Sequence, residues 1–135
     1  LAIARMLAGE FSPSGRLRLT IEARVEDNPT YTNYYVENPL TKRGHSTLNV
    51  TYGEGVFVGY RGYEKNGVQP AYSFGHGLTY TTFEYSDITV KPSQNGYDVT
   101  FTLSNTGQYD AAEVAQVYVG EVNPTVLRPS KELKA

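Results

Sequence analysis

The chain has 135 residues and a formal net charge of -2, with 39% hydrophobic and 19% charged residues. That supplies enough apolar material for one domain's core and excludes an intrinsically disordered chain. Basic residues are scattered in runs no longer than Lys42-Arg43, so the basic stripe of a nucleic-acid-binding surface is missing.

There are no cysteines, which excludes disulfides and thiolate metal sites but leaves the compartment open. No apolar run is long enough to span a bilayer, so no membrane partner is expected. The chain opens Leu1-Ala2-Ile3-Ala4-Arg5-Met6, with neither an initiator Met nor the basic-then-apolar pattern of a signal peptide. Its start reads as the interior of a longer protein. The twelve tyrosines point to β-rich structure, because aromatic side chains suit a pleated surface.

Leu1, Ile3, Ala4 and Leu7 are spaced as on a helix, and Gly9 supplies the C-cap signal. Ser12-Pro13-Ser14-Gly15 is a turn. Beyond it Leu17, Leu19 and Ile21 alternate with Arg16, Arg18 and Thr20, which predicts a half-buried strand. Glu22 to about Asn49 shows little periodicity and is broken at Asn28-Pro29, Asn38-Pro39 and Gly44, so a long loop packed on another surface is expected. Tyr52 to Tyr63 is dense in glycine and aromatics, and Lys65-Asn66-Gly67 reads as a tight turn. Gln69-Pro70 to Gly77 is a further irregular connector.

From Phe83 the pattern is β. Phe83, Tyr85, Ile88 and Val90 mark a first strand, Gln94-Asn95-Gly96 a turn, and Val99, Phe101 and Leu103 a second strand. Asn105-Thr106-Gly107 is the next turn, and Val114 to Val119 a third strand. Strands at this spacing suggest a β-sandwich, of which about seven strands would be needed. The module reads as cut in half.

Three stretches together carry a family resemblance. They are Ser12-Pro13-Ser14-Gly15-Arg16-Leu17 with Thr20 and Glu26-Asp27-Asn28-Pro29; Tyr52-Gly53-Glu54-Gly55-Val56-Phe57-Val58-Gly59-Tyr60-Arg61; and Phe74-Gly75-His76-Gly77-Leu78-Thr79-Tyr80-Thr81-Thr82-Phe83. Asn105-Thr106-Gly107, Glu113 to Val119 and Arg128 to Lys134 add to them. In this order they resemble the C-terminal region of glycoside hydrolase family 3, in the β-glucosidase branch that carries a fibronectin type III-like domain. One departure is Arg18, where the family pattern commonly has proline.

The resemblance implies a parent enzyme with a barrel-like domain bearing an Asp nucleophile, an α/β sandwich bearing a Glu acid/base, and then the fibronectin-like domain. Retaining chemistry needs two carboxyls about 5–5.5 Å apart, and the resemblance puts both upstream of these motifs. No catalytic residue is carried over, and no cofactor is implied. The implied parent hydrolyses a terminal β-glucoside or oligosaccharide and is periplasmic or secreted. The domains expected are 1–50, the tail of the α/β sandwich and a loop; 51–80, a connector; and 81–135, the start of the fibronectin-like domain. The fold class is then mainly β, an incomplete fibronectin type III-like sandwich preceded by a short helix–strand remnant and long aromatic and glycine-rich loops.

Candidate chemistry within the chain is sparse. His45 and His76 lack the three-to-five-residue spacing of a metal motif, so no metal site is expected. No Gly-x-Ser-x-Gly elbow is present. Glu54, among glycines and near Arg61, reads as an anchor for the connector, and Tyr31, Tyr34 and Tyr35 read as packing against other domains, with stacking on sugar rings as the alternative. These five residues are the candidate binding set, and the alternative reading is an independent carbohydrate-binding or assembly module using the tyrosine-rich loop. Asn49-Val50-Thr51 matches a glycosylation acceptor. An uncovered half-sandwich predicts a homo-oligomer whose copies complete each other's sheet.

Overall fold

The structure, a computed structural model, describes residues 1–34 and 51–135. Tyr35, His45 and Asn49 lie outside the described residues. More of the described chain is strand than helix. The elements are α1 (Ala2–Leu7), a 3-10 turn (Val25–Asp27), α2 (Tyr31–Tyr34), α3 (Tyr60–Asn66), β1 (Phe83–Ser93), β2 (Gly96–Asn105), β3 (Tyr118–Val119) and β4 (Glu132–Leu133). They fall into two compact units, one of residues 1–16 and 77–114, the other of 17–76 and 115–135.

In the first unit α1 ends as its glycine predicts. Gly9 sits at φ +79, its N–H bonds to the Met6 carbonyl, and the Glu10 N–H reaches the Arg5 carbonyl. That double closure satisfies carbonyls that a helix end leaves orphaned.

The dominant element of this unit is the antiparallel hairpin β1–β2, closed by the two residues Gln94 and Asn95. Its register sorts the side chains by face. Tyr85 lies opposite Leu103, Val90 opposite Val99 and Pro92 opposite Tyr97, whereas Glu84 faces Ser104, Thr89 faces Thr100 and Lys91 faces Asp98. One face is thus apolar, with Tyr85 and Phe101 rings 5.5 Å apart. The other is polar, with the Thr89 and Thr100 hydroxyls 2.6 Å apart.

The sequence changes phase between Tyr85 and Ile88, and a β-bulge between Ser86 and Thr89 absorbs the change. Asp87 enters the left-handed region at φ 54 to make it. The extra residue keeps Ile88 and Val90 on the face of Tyr85, since without it every later side chain would change sides.

Asn105 organises the turn after β2. Its Oδ1 accepts from the Gly107 N–H at 3.1 Å and from the Thr81 hydroxyl at 2.5 Å, and its Nδ2 donates to the Tyr109 carbonyl. Buried Ser12 accepts from the Tyr80 N–H at 2.9 Å. Arg16 forms an ion pair with Glu113, the two side chains only 13% and 16% exposed.

The second unit corrects three expectations. Leu17–Ile21 is not a strand. Leu17 and Ile21 do pair antiparallel with residues 72–76, through Leu17 N–H to His76, Gly75 N–H to Leu17 and the reciprocal Ile21–Tyr72 bonds. A turn from Ser73 to His76, with Gly75 at φ +80, interrupts the partner and leaves only an isolated bridge.

The strand expected over Val114–Val119 shrinks to Tyr118–Val119, paired with Glu132–Leu133. Val117 exchanges backbone hydrogen bonds with Lys134 and Ala135 next to that pair, and Val114 belongs to the first unit while Ala115 onward belongs to the second. The tight turn expected at Lys65-Asn66-Gly67 is the end of helix α3. Gly67, at φ 63, bonds to the Glu64 carbonyl and Val68 to that of Tyr63, the same closure as at α1.

Helix α3 is held by its one small residue. A Cβ on Gly62 would lie 2.3 Å from the Phe57 carbonyl oxygen and 2.5 Å from Pro29. Beside it, Tyr63 (3% exposed) and Phe57 (6%) are the buried large apolar side chains among the described residues. The Lys65 ammonium lies 3.9 Å from the Phe57 ring centroid, a cation–π contact.

Candidate functional site

A cavity of about 460 Å³ opens in the second unit between α3, the segment following it and β3. Tyr60, Tyr63 and Glu64 line it from one side of α3, as helical i, i+3 and i+4 positions must, and Phe74, Tyr118 and Lys131 complete it. Tyr60 is the hub. Its ring meets Tyr118 edge-on at 5.6 Å and Phe74 at 5.9 Å, and its hydroxyl accepts the Leu133 N–H at 2.9 Å.

The only carboxylate among the cavity's lining residues is Glu64, and it is already occupied. It pairs with Lys131 at 2.9 Å and accepts from the Ser130 hydroxyl at 3.0 Å. That bond to Glu64 holds the Lys131 ammonium above the usual lysine range. Burial pushes the Tyr63 and Tyr118 phenols up. Two hydroxyls of the lining, Thr20 Oγ1 and the Tyr63 phenol, are buried without a hydrogen-bond partner among the described residues.

Beside this cavity a charged cluster ties the last strand down. Glu132 receives Arg61 and Arg128 at 3.5 Å and Lys134 at 3.4 Å, and Arg128 also pairs with Glu121. Lys134 first, then Arg61 and Arg128, hold the Glu132 carboxyl below the usual carboxylate range.

The candidate binding residues are divided among different partners. Glu54 accepts from Asn33 Nδ2 at 2.5 Å, tying the Gly53–Gly55 turn to α2. Arg61 pairs with Glu132 and lies over the Tyr60 ring at 5.7 Å, with its Nε buried and unpaired among the described residues. Tyr31 opens α2, half-buried, and Tyr34 closes it. Tyr60, Tyr118 and Lys131 were not singled out from the sequence. The one signal for Tyr60 is the 60, 63, 64 spacing, hidden because Gly59 and Gly62 make the stretch look like a loop; Tyr118 and Lys131 join it only through the fold.

Among the described residues no three histidine or acidic side chains converge as a metal-ligand group, and no helix is long and apolar enough to cross a membrane.

The profile of the glycosyl hydrolase family 3 C-terminal domain matches residues 1–60. Over 98% of its length the chain is 42% identical to thermostable beta-glucosidase B of Acetivibrio thermocellus, of which it covers 17%. It is 43% identical to an exo-alpha-(1->6)-L-arabinopyranosidase of Bifidobacterium longum, covering 98% of the chain and 16% of that protein. Among solved structures, beta-glucosidase 3B of Thermotoga neapolitana in complex with glucose superposes with a TM-score of 0.84 at 39% identity, over 98% of this chain and 18% of that one. The chain thus spans about a sixth of the length of the curated relatives it matches. Similarity along almost the whole sequence, together with the domain match, shows that the chain belongs to glycoside hydrolase family 3, in the C-terminal region of enzymes of the β-glucosidase kind.

Proposed function

We propose that this chain is a non-catalytic scaffold segment of a β-glucosidase-type hydrolase whose complete form carries out retaining hydrolysis of terminal β-glucosides. The observation that carries the reading is how the acids are used. Glu54 is spent on Asn33, Glu64 on Lys131 and Ser130, Glu113 on Arg16, and Glu132 on three cations. Retaining hydrolysis needs a nucleophile and an acid/base about 5–5.5 Å apart on one substrate, and the cavity offers a single, neutralised carboxylate. These carboxylates act as struts.

In this reading residues 1–50 close an α/β sandwich, 51–80 connect, and 81–135 begin a fibronectin type III-like sandwich. The amphipathic hairpin supports the last assignment, because a sandwich sheet buries one face and wets the other. Its apolar face is open, with Ile88 and Tyr97 each 71% exposed, and a second copy of the chain completing the sheet would cover it.

The test is hydrolysis of a chromogenic β-glucoside by the purified chain. No turnover above buffer is expected. Turnover that survives repurification and is lost in Glu54→Gln would overturn the reading. A saturable response in a sugar titration would instead favour an independent binding module using Tyr31, Tyr34 and Tyr35.

A further inference from the structure

The chain contains two Asn-Gly steps, Asn66-Gly67 and Asn95-Gly96, and the fold treats them differently. Asn-Gly is the step at which a backbone nitrogen most readily reaches the preceding side-chain amide, because glycine offers no Cβ to obstruct the approach. Both asparagines are exposed, so access to water does not distinguish them. Their backbones do.

Asn66 ends helix α3. The N–H of Gly67 donates to the Glu64 carbonyl at 3.2 Å, and Gly67 is held at φ 63 and ψ 26 by that closure. The turn before it carries Tyr63, 3% exposed, and Gly62, set against Phe57 and Pro29. Freeing the Gly67 nitrogen therefore requires opening a cap fastened to the buried part of its unit. Asn95 lies at the tip of the β1–β2 hairpin, in the two residues between paired Ser93 and Gly96. The strand residues next to the tip are exposed, the half-buried ones being Phe83, Val99 and Phe101 further along, and a two-stranded hairpin end opens at low cost.

We infer that Asn95 is a site of spontaneous succinimide formation and isoaspartate conversion, and that Asn66 is protected by its helix cap. The Gly96 backbone nitrogen, deprotonated by solvent hydroxide, attacks the Asn95 side-chain carbonyl carbon. A carbon–nitrogen bond forms and the side-chain amide leaves as ammonia, taking a proton from water. Water then adds to one of the two imide carbonyls. Opening at the side-chain carbonyl gives aspartate. Opening at the main-chain carbonyl routes the backbone through the side chain as isoaspartate. The net change is water in and ammonia out, with no oxidation or reduction.

The iso product adds a carbon to the backbone of a two-residue turn. The pairs Ser93–Gly96 and Pro92–Tyr97 then cannot both keep their register. Conversion at this tip disturbs the apolar face that carries Val90 and Tyr97, so Asn95 ages the surface that the hairpin presents.

The experiment incubates the purified chain at mildly alkaline pH and follows both peptides by digestion and mass spectrometry. Isoaspartate and aspartate are distinguished by chromatography against synthetic standards. Asn95 is expected to convert at least several-fold faster than Asn66 under native conditions, and the two rates to converge in concentrated denaturant. Gly67→Ala, which weakens the cap but blocks the Asn-Gly step, is unsuitable; Gly62→Ala loosens α3 while keeping the step, and should raise the Asn66 rate toward that of Asn95. Equal native rates, or faster conversion at Asn66, would overturn the inference.

Discussion

Gly62 shows how much one side chain's absence can hold in place. The position a Cβ would take is filled by the Phe57 carbonyl and the Pro29 ring, neither of which can move without shifting backbone. Gly62→Ala should therefore cost about 1–3 kcal/mol, read as a lower urea midpoint, whereas Gly15→Ala, with nothing within 4 Å, should be close to neutral. An equal effect of the two substitutions would remove Gly62 from its packing role. Glu132 makes the corresponding electrostatic statement. Its carboxyl is held below the ordinary value of 4.5 by Lys134, Arg61 and Arg128, so folding stabilises the ionised form. That contribution is complete above pH 4.5 and is lost as pH falls through the lowered value. In Glu132→Gln the acid limb of a stability–pH curve should be shallower than in the parent chain, with no change in slope between pH 6 and 8.

Among the elements, the bulge in β1 makes the sharpest demand on its residue. Asp87 holds φ 54, where a short polar side chain is tolerated and a β-branched one is an outlier. Asp87→Val should destabilise by about 1–3 kcal/mol, while Asp87→Gly should be neutral or slightly stabilising. Calorimetry on the two variants checks the order, and the reverse order would mean that the bulge is not held as described.

The same strand shows what the sequence made legible. Alternation at Val99, Phe101 and Leu103 and the Asn95-Gly96 turn placed the hairpin correctly. Phe83, Tyr85, Ile88 and Val90 could be grouped in a strand, but only the pairing shows that the step from 85 to 88 is a bulge. Alternation also led to a strand at Leu17–Ile21, which fails because a strand depends on a partner and its partner turns at Gly75. Helix α3 was missed for the opposite reason. Gly62 and two β-favouring tyrosines lower the helix propensity of its stretch, and packing of Gly62 and Tyr63 overrides it. The charged struts were half legible. Glu54 and Arg61 were singled out, but Asn33 and Glu132, their partners across 21 and 71 residues of sequence, become visible only once the chain is folded.

For the molecule as a whole, the balance between buried and uncovered apolar surface is what connects fold to function. Phe57 and Tyr63 are its buried large apolar side chains among the described residues, while Ile88, Val90 and Tyr97 in one unit and Val122, Val126 and Leu127 in the other remain exposed. Surface of this kind marks association, which fits the proposal that this segment, about a sixth of its relatives' length, acts as a scaffold. Replacing Ile88 and Tyr97 together by Lys should leave the polar face of the hairpin intact and shift the chain toward monomer. The most direct measurement is size-exclusion chromatography with light scattering, each peak assayed on a chromogenic β-glucoside. The account predicts a self-associated species heavier than 15.0 kDa without turnover. An active peak at the mass of a single chain would contradict it, and would return Glu54 from strut to catalyst.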